Sequence, residues 1–146
     1  MKLIIENSKN RNTIFIYAPI SFKFKQISNL NKNIIFISED WIPGSLSNFK
    51  AYRKYSKINI NKVPDLVIIL SNSYLNNLDV LEEASSFGIP VITIFPNNLK
   101  FDNLYYPIIG NVNVKFSLNF YSFFFYNCII HGLFLEKLYI NYAFKA

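Results

Sequence analysis

Sulfur and imidazole are almost missing from this chain, which has one cysteine, Cys128, and one histidine, His131, among 146 residues. A lone cysteine cannot close an internal disulfide. One cysteine with one histidine would need carboxylates to complete a metal site, and the carboxylates here are scattered, so no metal is expected. Cys128 sits in Tyr126-Asn127-Cys128-Ile129-Ile130, a setting for a buried inert thiol rather than a nucleophile. His131, between apolar neighbours, reads as a core or interface residue rather than a base. Glycine is scarce as well. The four, at 44, 88, 110 and 132, never approach G-x-G-x-x-G or a Walker loop, and Tyr17-Ala18-Pro19-Ile20-Ser21 after the first apolar run has none. Dinucleotide or nucleotide binding by those routes is excluded. Glu82 and Glu83 are adjacent on a helical stretch and point apart, so they make no acid/base pair. No catalytic residue and no cofactor is expected, and the chain does not read as an enzyme.

Charge is the next shortage, at 16% of residues against 51% apolar. A disordered tail is thereby excluded, and so few charges beside so many aromatics imply apolar surface that partners cover. Phe, Tyr, Ile, Asn and Lys supply 80 of the 146 residues, the set written by A- and T-rich codons. That bias marks the encoding genome, in keeping with an organellar one, and carries no fold information. What charge there is runs positive, +6 with pI ≈ 9.4, which points to polyanions. The opening Met1-Lys2-Leu3-Ile4-Ile5-Glu6 has too short an apolar run for a signal peptide and lacks transit-peptide character. A protein working in an organelle with such a start is expected to be made there.

Four dense apolar runs are present: Thr13-Ile14-Phe15-Ile16-Tyr17, Asn33-Ile34-Ile35-Phe36-Ile37, Leu66-Val67-Ile68-Ile69-Leu70 and Pro90-Val91-Ile92-Thr93-Ile94-Phe95. Each is β-branched or aromatic, continuous, and bounded by Pro, Asn, Ser or charge, as in parallel strands covered on both faces. Between the last two, Leu78, Leu81, Ala84 and Phe87 recur at helical spacing. Asn77 is placed to cap this helix, acids to fill its first turns, and Gly88 to end it. Strand, helix, glycine, strand is a right-handed βαβ unit. One doubly wound α/β domain over residues 1–146 follows, with a final helix expected over 114–137. The stretch 118–135 approaches membrane-span length, but Asn119, Ser122, Asn127 and His131 interrupt it.

From Lys50 to Lys62 the chain carries Lys50, Arg53, Lys54, Lys57 and Lys62 with no acid, interleaved with Tyr52 and Tyr55. Such a stretch suits RNA, the cations meeting phosphates and the tyrosines stacking on bases.

Four segments, 41–49, 64–65, 83–91 and 106–111, in that order resemble the small-subunit ribosomal protein S2 family. Trp41-Ile42-Pro43-Gly44-Ser45-Leu46-Ser47-Asn48-Phe49 is similar to its Trp-Leu-Gly-Gly-Thr-Leu-Thr-Asn-Phe loop, and Pro64-Asp65 to the leader of its next strand. Glu83-Ala84 through Gly88-Ile89-Pro90-Val91 resembles its helix–strand turn, and Tyr106-Pro107-Ile108-Ile109-Gly110-Asn111 its Tyr-Pro-Ile-Pro-Gly-Asn turn. Physical chemistry suggests architectural roles for these motifs. Gly44 and Gly110 permit turns that a Cβ would hinder, Pro90 can open a strand, and Asn48 and Asn111 suit turns. The resemblance implies a mainly parallel, flavodoxin-like sheet. It also implies small-subunit rRNA and neighbouring ribosomal proteins as partners, with neither a membrane nor a second copy of the chain. The chain departs from the family in lacking its opening strand and helix. Residues 50–63 stand as a short connector where the family has a long helical hairpin. Asp40, Pro96-Asn97-Asn98 and Val112-Asn113 also differ. A structural, rRNA-binding role in a mitochondrial small subunit is the expectation. A small flavodoxin-like ligand-binding or enzymatic domain, revealed by a tightly bound nucleotide, is the rival.

Overall fold

The computed structural model describes residues 1–18, 29, 31–38, 41–48, 62–71, 74–95, 105–111 and 113–143. In chain order these form α1 (Lys2–Lys9), β1 (Ile14–Tyr17), β2 (Ile34–Ile37), β3 (Leu66–Ile69), α2 (Tyr74–Ser86), β4 (Val91–Phe95), β5 (Tyr105–Ile109) and α3 (Lys115–Ala143). The five strands make one sheet in the order β2-β1-β3-β4-β5. Every pairing is parallel, with Ile14 opposite both Ile34 and Leu66 and with Val91 opposite both Val67 and Tyr105. This is the flavodoxin-like order, reversing direction between β1 and β3.

Both faces are covered, which is why the strands read as unbroken apolar runs. Ile14, Ile16, Ile34, Leu66, Ile68, Ile92 and Ile94 pack with Ile4 of α1 and with Leu118, Phe125, Cys128 and Ile129 of α3. Phe15, Tyr17, Ile37, Val67, Ile69 and Val91 pack with Val80, Leu81 and Ala84 of α2 and with Trp41 and Leu46. Alternate residues of β1 to β4 thus serve opposite cores.

The structure corrects several boundaries. α2 begins at Tyr74, so Asn77 lies inside the helix instead of capping it, and no acid stands in the first turn. The buried stripe is Val80, Leu81 and Ala84, while Phe87 is 45% exposed. Gly88 does end this helix. It takes φ +66°, its N–H reaches the Ser85 carbonyl at 3.0 Å, and the Ile89 N–H reaches that of Ala84 at 2.9 Å, the paired bonds of a Schellman stop. The Tyr106–Ile109 segment is an edge strand and not a turn. Pro107 is tolerated because an edge strand has a side that needs no N–H. The apolar stretch expected to be helical over 114–137 is part of α3, which continues to Ala143. By length and composition α3 is the one described helix able to cross a membrane, and 33% of the apolar window concerned is buried inside the fold.

Candidate nucleic-acid interface

The motif residues converge on two carboxylates. Glu83 projects from α2 towards the loop after β2. Its Oε1 accepts the Trp41 Nε1–H at 3.2 Å and the Gly44 N–H, and its Oε2 accepts the Leu46 N–H at 2.9 Å. The loop closes on itself as Ser45 donates to the Ile42 carbonyl and the Asn48 N–H meets the Gly44 carbonyl at 2.7 Å. Gly44 takes φ +89°, where a side chain would be strained. Trp41 is buried and meets the Tyr17 ring edge-on at 6.0 Å.

Asp65 is the second carboxylate. Its Oδ2 accepts the Thr13 N–H at 2.8 Å, its own N–H returns to the Thr13 carbonyl at 2.8 Å, and Lys62 Nζ stands 3.2 Å from Oδ2. Pro64-Asp65 therefore ties the start of β3 to the start of β1. Pro90 offers its carbonyl to the Val67 N–H at 3.1 Å. At Gly110 a Cβ would come within 2.2 Å of the Tyr121 hydroxyl, so this glycine serves the close approach of α3 and needs no positive φ. The Asn111 side chain accepts the Asn113 N–H at 2.9 Å, closing the turn into α3.

Of the expected RNA contacts, only Lys62 is among the described residues, exposed and paired with Asp65. Lys50, Tyr52, Arg53, Lys54, Tyr55 and Lys57 lie outside them. His131 is exposed, and not a core residue. Cys128 is buried, and burial pushes its thiol pKa up, in keeping with an inert thiol. Among the described residues no three His, Cys, Asp or Glu gather as metal ligands would. Lys9, Arg11, Lys32 and Lys137 were not legible as a group, because they are far apart in sequence. The structure brings Arg11, Lys32 and Lys137 to one cleft, and Lys9 to another that shares Arg11.

Fold and motif geometry together define a flavodoxin-like α/β domain whose distinctive residues lock loops to the sheet. The sequence matches the ribosomal protein S2 family over residues 53–132, more than half of the chain. It is 31% identical over 117 residues, 80% of this chain and 35% of the relative, to the small ribosomal subunit protein uS2m of Acanthamoeba castellanii. It is 32% identical over 75 residues, 51% of this chain and 28% of the relative, to the small ribosomal subunit protein uS2 of Bartonella quintana. The chain belongs to the ribosomal protein S2 family. It spans about a third of the length of the curated relatives it matches.

Proposed function

We propose that the chain is a structural constituent of the small ribosomal subunit, binding rRNA and neighbouring ribosomal proteins during translation and catalysing nothing. The observation that carries this reading is how the motif residues are used. Glu83, Gly44, Asp65 and Gly110 hold the Trp loop, the strand starts and α3 in place. They build a rigid shape and leave contact to the surface. Family membership and the names of the relatives support the ribosomal setting, and a net charge of +6 suits an RNA partner. A mitochondrial ribosome, with the protein made inside the organelle, is the compartment we favour. Support comes from the A- and T-rich codon bias and from the relative bearing the mitochondrial suffix.

Sucrose-gradient sedimentation of a tagged chain tests the proposal. It should peak with small subunits and whole ribosomes and be scarce in the free pool. A mainly free pool, unchanged when rRNA is depleted, overturns it.

A further inference from the structure

We infer that the amino edge of the sheet, on the side covered by α1 and α3, holds a single-stranded stretch of RNA. The inference rests on the ribosomal reading above and adds to it a set of residues outside the 50–57 run.

Charge placement comes first. The described residues include seven basic side chains: Lys2, Lys9, Arg11, Lys32, Lys62, Lys115 and Lys137. Five of them gather at the amino edge. Lys9 and Arg11 precede β1, Lys32 precedes β2, Lys62 precedes β3, and Lys137 of α3 lines a cleft with Arg11 and Lys32. Doubly wound domains ordinarily take ligands at the opposite, carboxyl edge, so this clustering is not a demand of the fold.

The shape follows from two adjoining clefts of about 630 and 690 Å3. Arg11 and Glu136 line both and are bridged to each other, with the Glu136 side chain only 14% exposed. The carboxylate most able to repel a phosphate is thereby neutralised, and Lys9, Lys32 and Lys137 remain exposed around it. Aromatic surface completes the site. Phe134, 55% exposed, lines the first cleft, and Tyr139, 68% exposed, lines the second with Lys9 Nζ 5.4 Å from its ring centre. Cations beside exposed rings suit unpaired bases on a phosphate chain.

The backbone places the Arg11 side chain. Arg11 has φ +57°, the one positive value at a non-glycine among the described residues. It occupies the stop of α1, where the Asn12 N–H reaches back to the Asn7 carbonyl at 3.0 Å and glycine would be the unstrained choice. The side chain placed there reaches Glu136 of α3, so the stop of α1 sets the ion pair about which the exposed lysines stand.

The test uses the full chain with a fluorescein-labelled oligouridylate and, separately, an RNA hairpin duplex, each titrated across salt concentrations. Replacing Lys9, Lys32 and Lys137 together by Ala should leave the melting temperature unchanged. It should lower the log–log salt slope for oligouridylate by about two units. Phe134→Leu should weaken oligouridylate binding about tenfold without moving the slope. If the wild type binds RNA and the triple variant keeps its slope, this inference fails while the ribosomal reading stands, and an acidic protein becomes the candidate occupant. Preference for the duplex, with Phe134→Leu neutral, overturns the single-stranded assignment. A wild type that binds neither RNA overturns both.

Discussion

Glu83 accepts from one indole and two peptide N–H groups, so its removal strands three donors at once. They come from Trp41, Gly44 and Leu46, and Trp41 is itself 5% exposed. Hydrogen bonds to a charged acceptor contribute more than neutral ones, and an unmade bond at a half-buried site costs the desolvation of its donor. Glu83→Ala should therefore destabilise the domain by on the order of 2 kcal/mol in urea unfolding, and Glu83→Gln, which keeps one acceptor oxygen, by about half that. Trp41 is the single tryptophan, so emission reports on the loop directly. A red shift in Glu83→Ala at native conditions is expected, and unshifted emission with unchanged stability would show that the loop holds without the clamp. The clamp was only half legible in the sequence. Glu83 stood in a recognisable motif, but its partners lie 37 to 42 residues earlier and two of them are backbone groups, which no side-chain pattern reveals.

Among the elements, the strands covered on both faces were the most legible. β1 to β4 are continuous apolar runs between punctuating residues, and two covered faces leave little else for such runs to do. β5 was hidden because Pro107 breaks the expected strand pattern, which an edge position forgives. α1 was hidden for a different reason. Eight residues are too few for a helix to be stable alone, and Ile4 is fully buried in the core it shares with α3. Their contact depends on Gly132, where a Cβ would lie 2.5 Å from Ser8 Cβ and 2.6 Å from the Ile5 carbonyl oxygen. Gly132→Ala gains about 1 kcal/mol of helix propensity but forces the two backbones apart, an overpacking cost of about 1–3 kcal/mol. A net loss of about 1 kcal/mol is expected in urea unfolding. Ser8→Gly should rescue it only in part, since the carbonyl contact remains. A more stable Gly132→Ala would mean the helices can separate freely. The other face of α3 leaves Phe116, Phe120 and Phe123 more than half exposed, apolar surface of the kind that the scarcity of charge led one to expect.

At the scale of the whole molecule, the charge has a direction. Lys62 ends the basic run of the sequence and stands at the amino edge, paired with Asp65, the edge at which Lys9, Arg11, Lys32 and Lys137 gather. A partner already satisfies Lys62 in the free protein, which leaves Lys50, Arg53, Lys54 and Lys57 as the cations of the run expected to release counterions on binding. None of the four falls in an apolar run or in the apolar helical stripe of the sequence, so replacing all four by Ala should leave the circular dichroism and melting temperature of the wild type. Contact with phosphates positions a protein without reading bases. The loss should therefore be alike for unrelated RNA sequences, and the log–log salt slope should fall by about three units. Combined with the amino-edge triple variant, the two losses should add if each region meets its own phosphates, as independent sites do. A combined loss well below the sum would instead mean that the regions compete for one stretch of RNA. An unchanged slope in the four-fold variant would show that the 50–57 run is a solvated stretch and that RNA is held elsewhere.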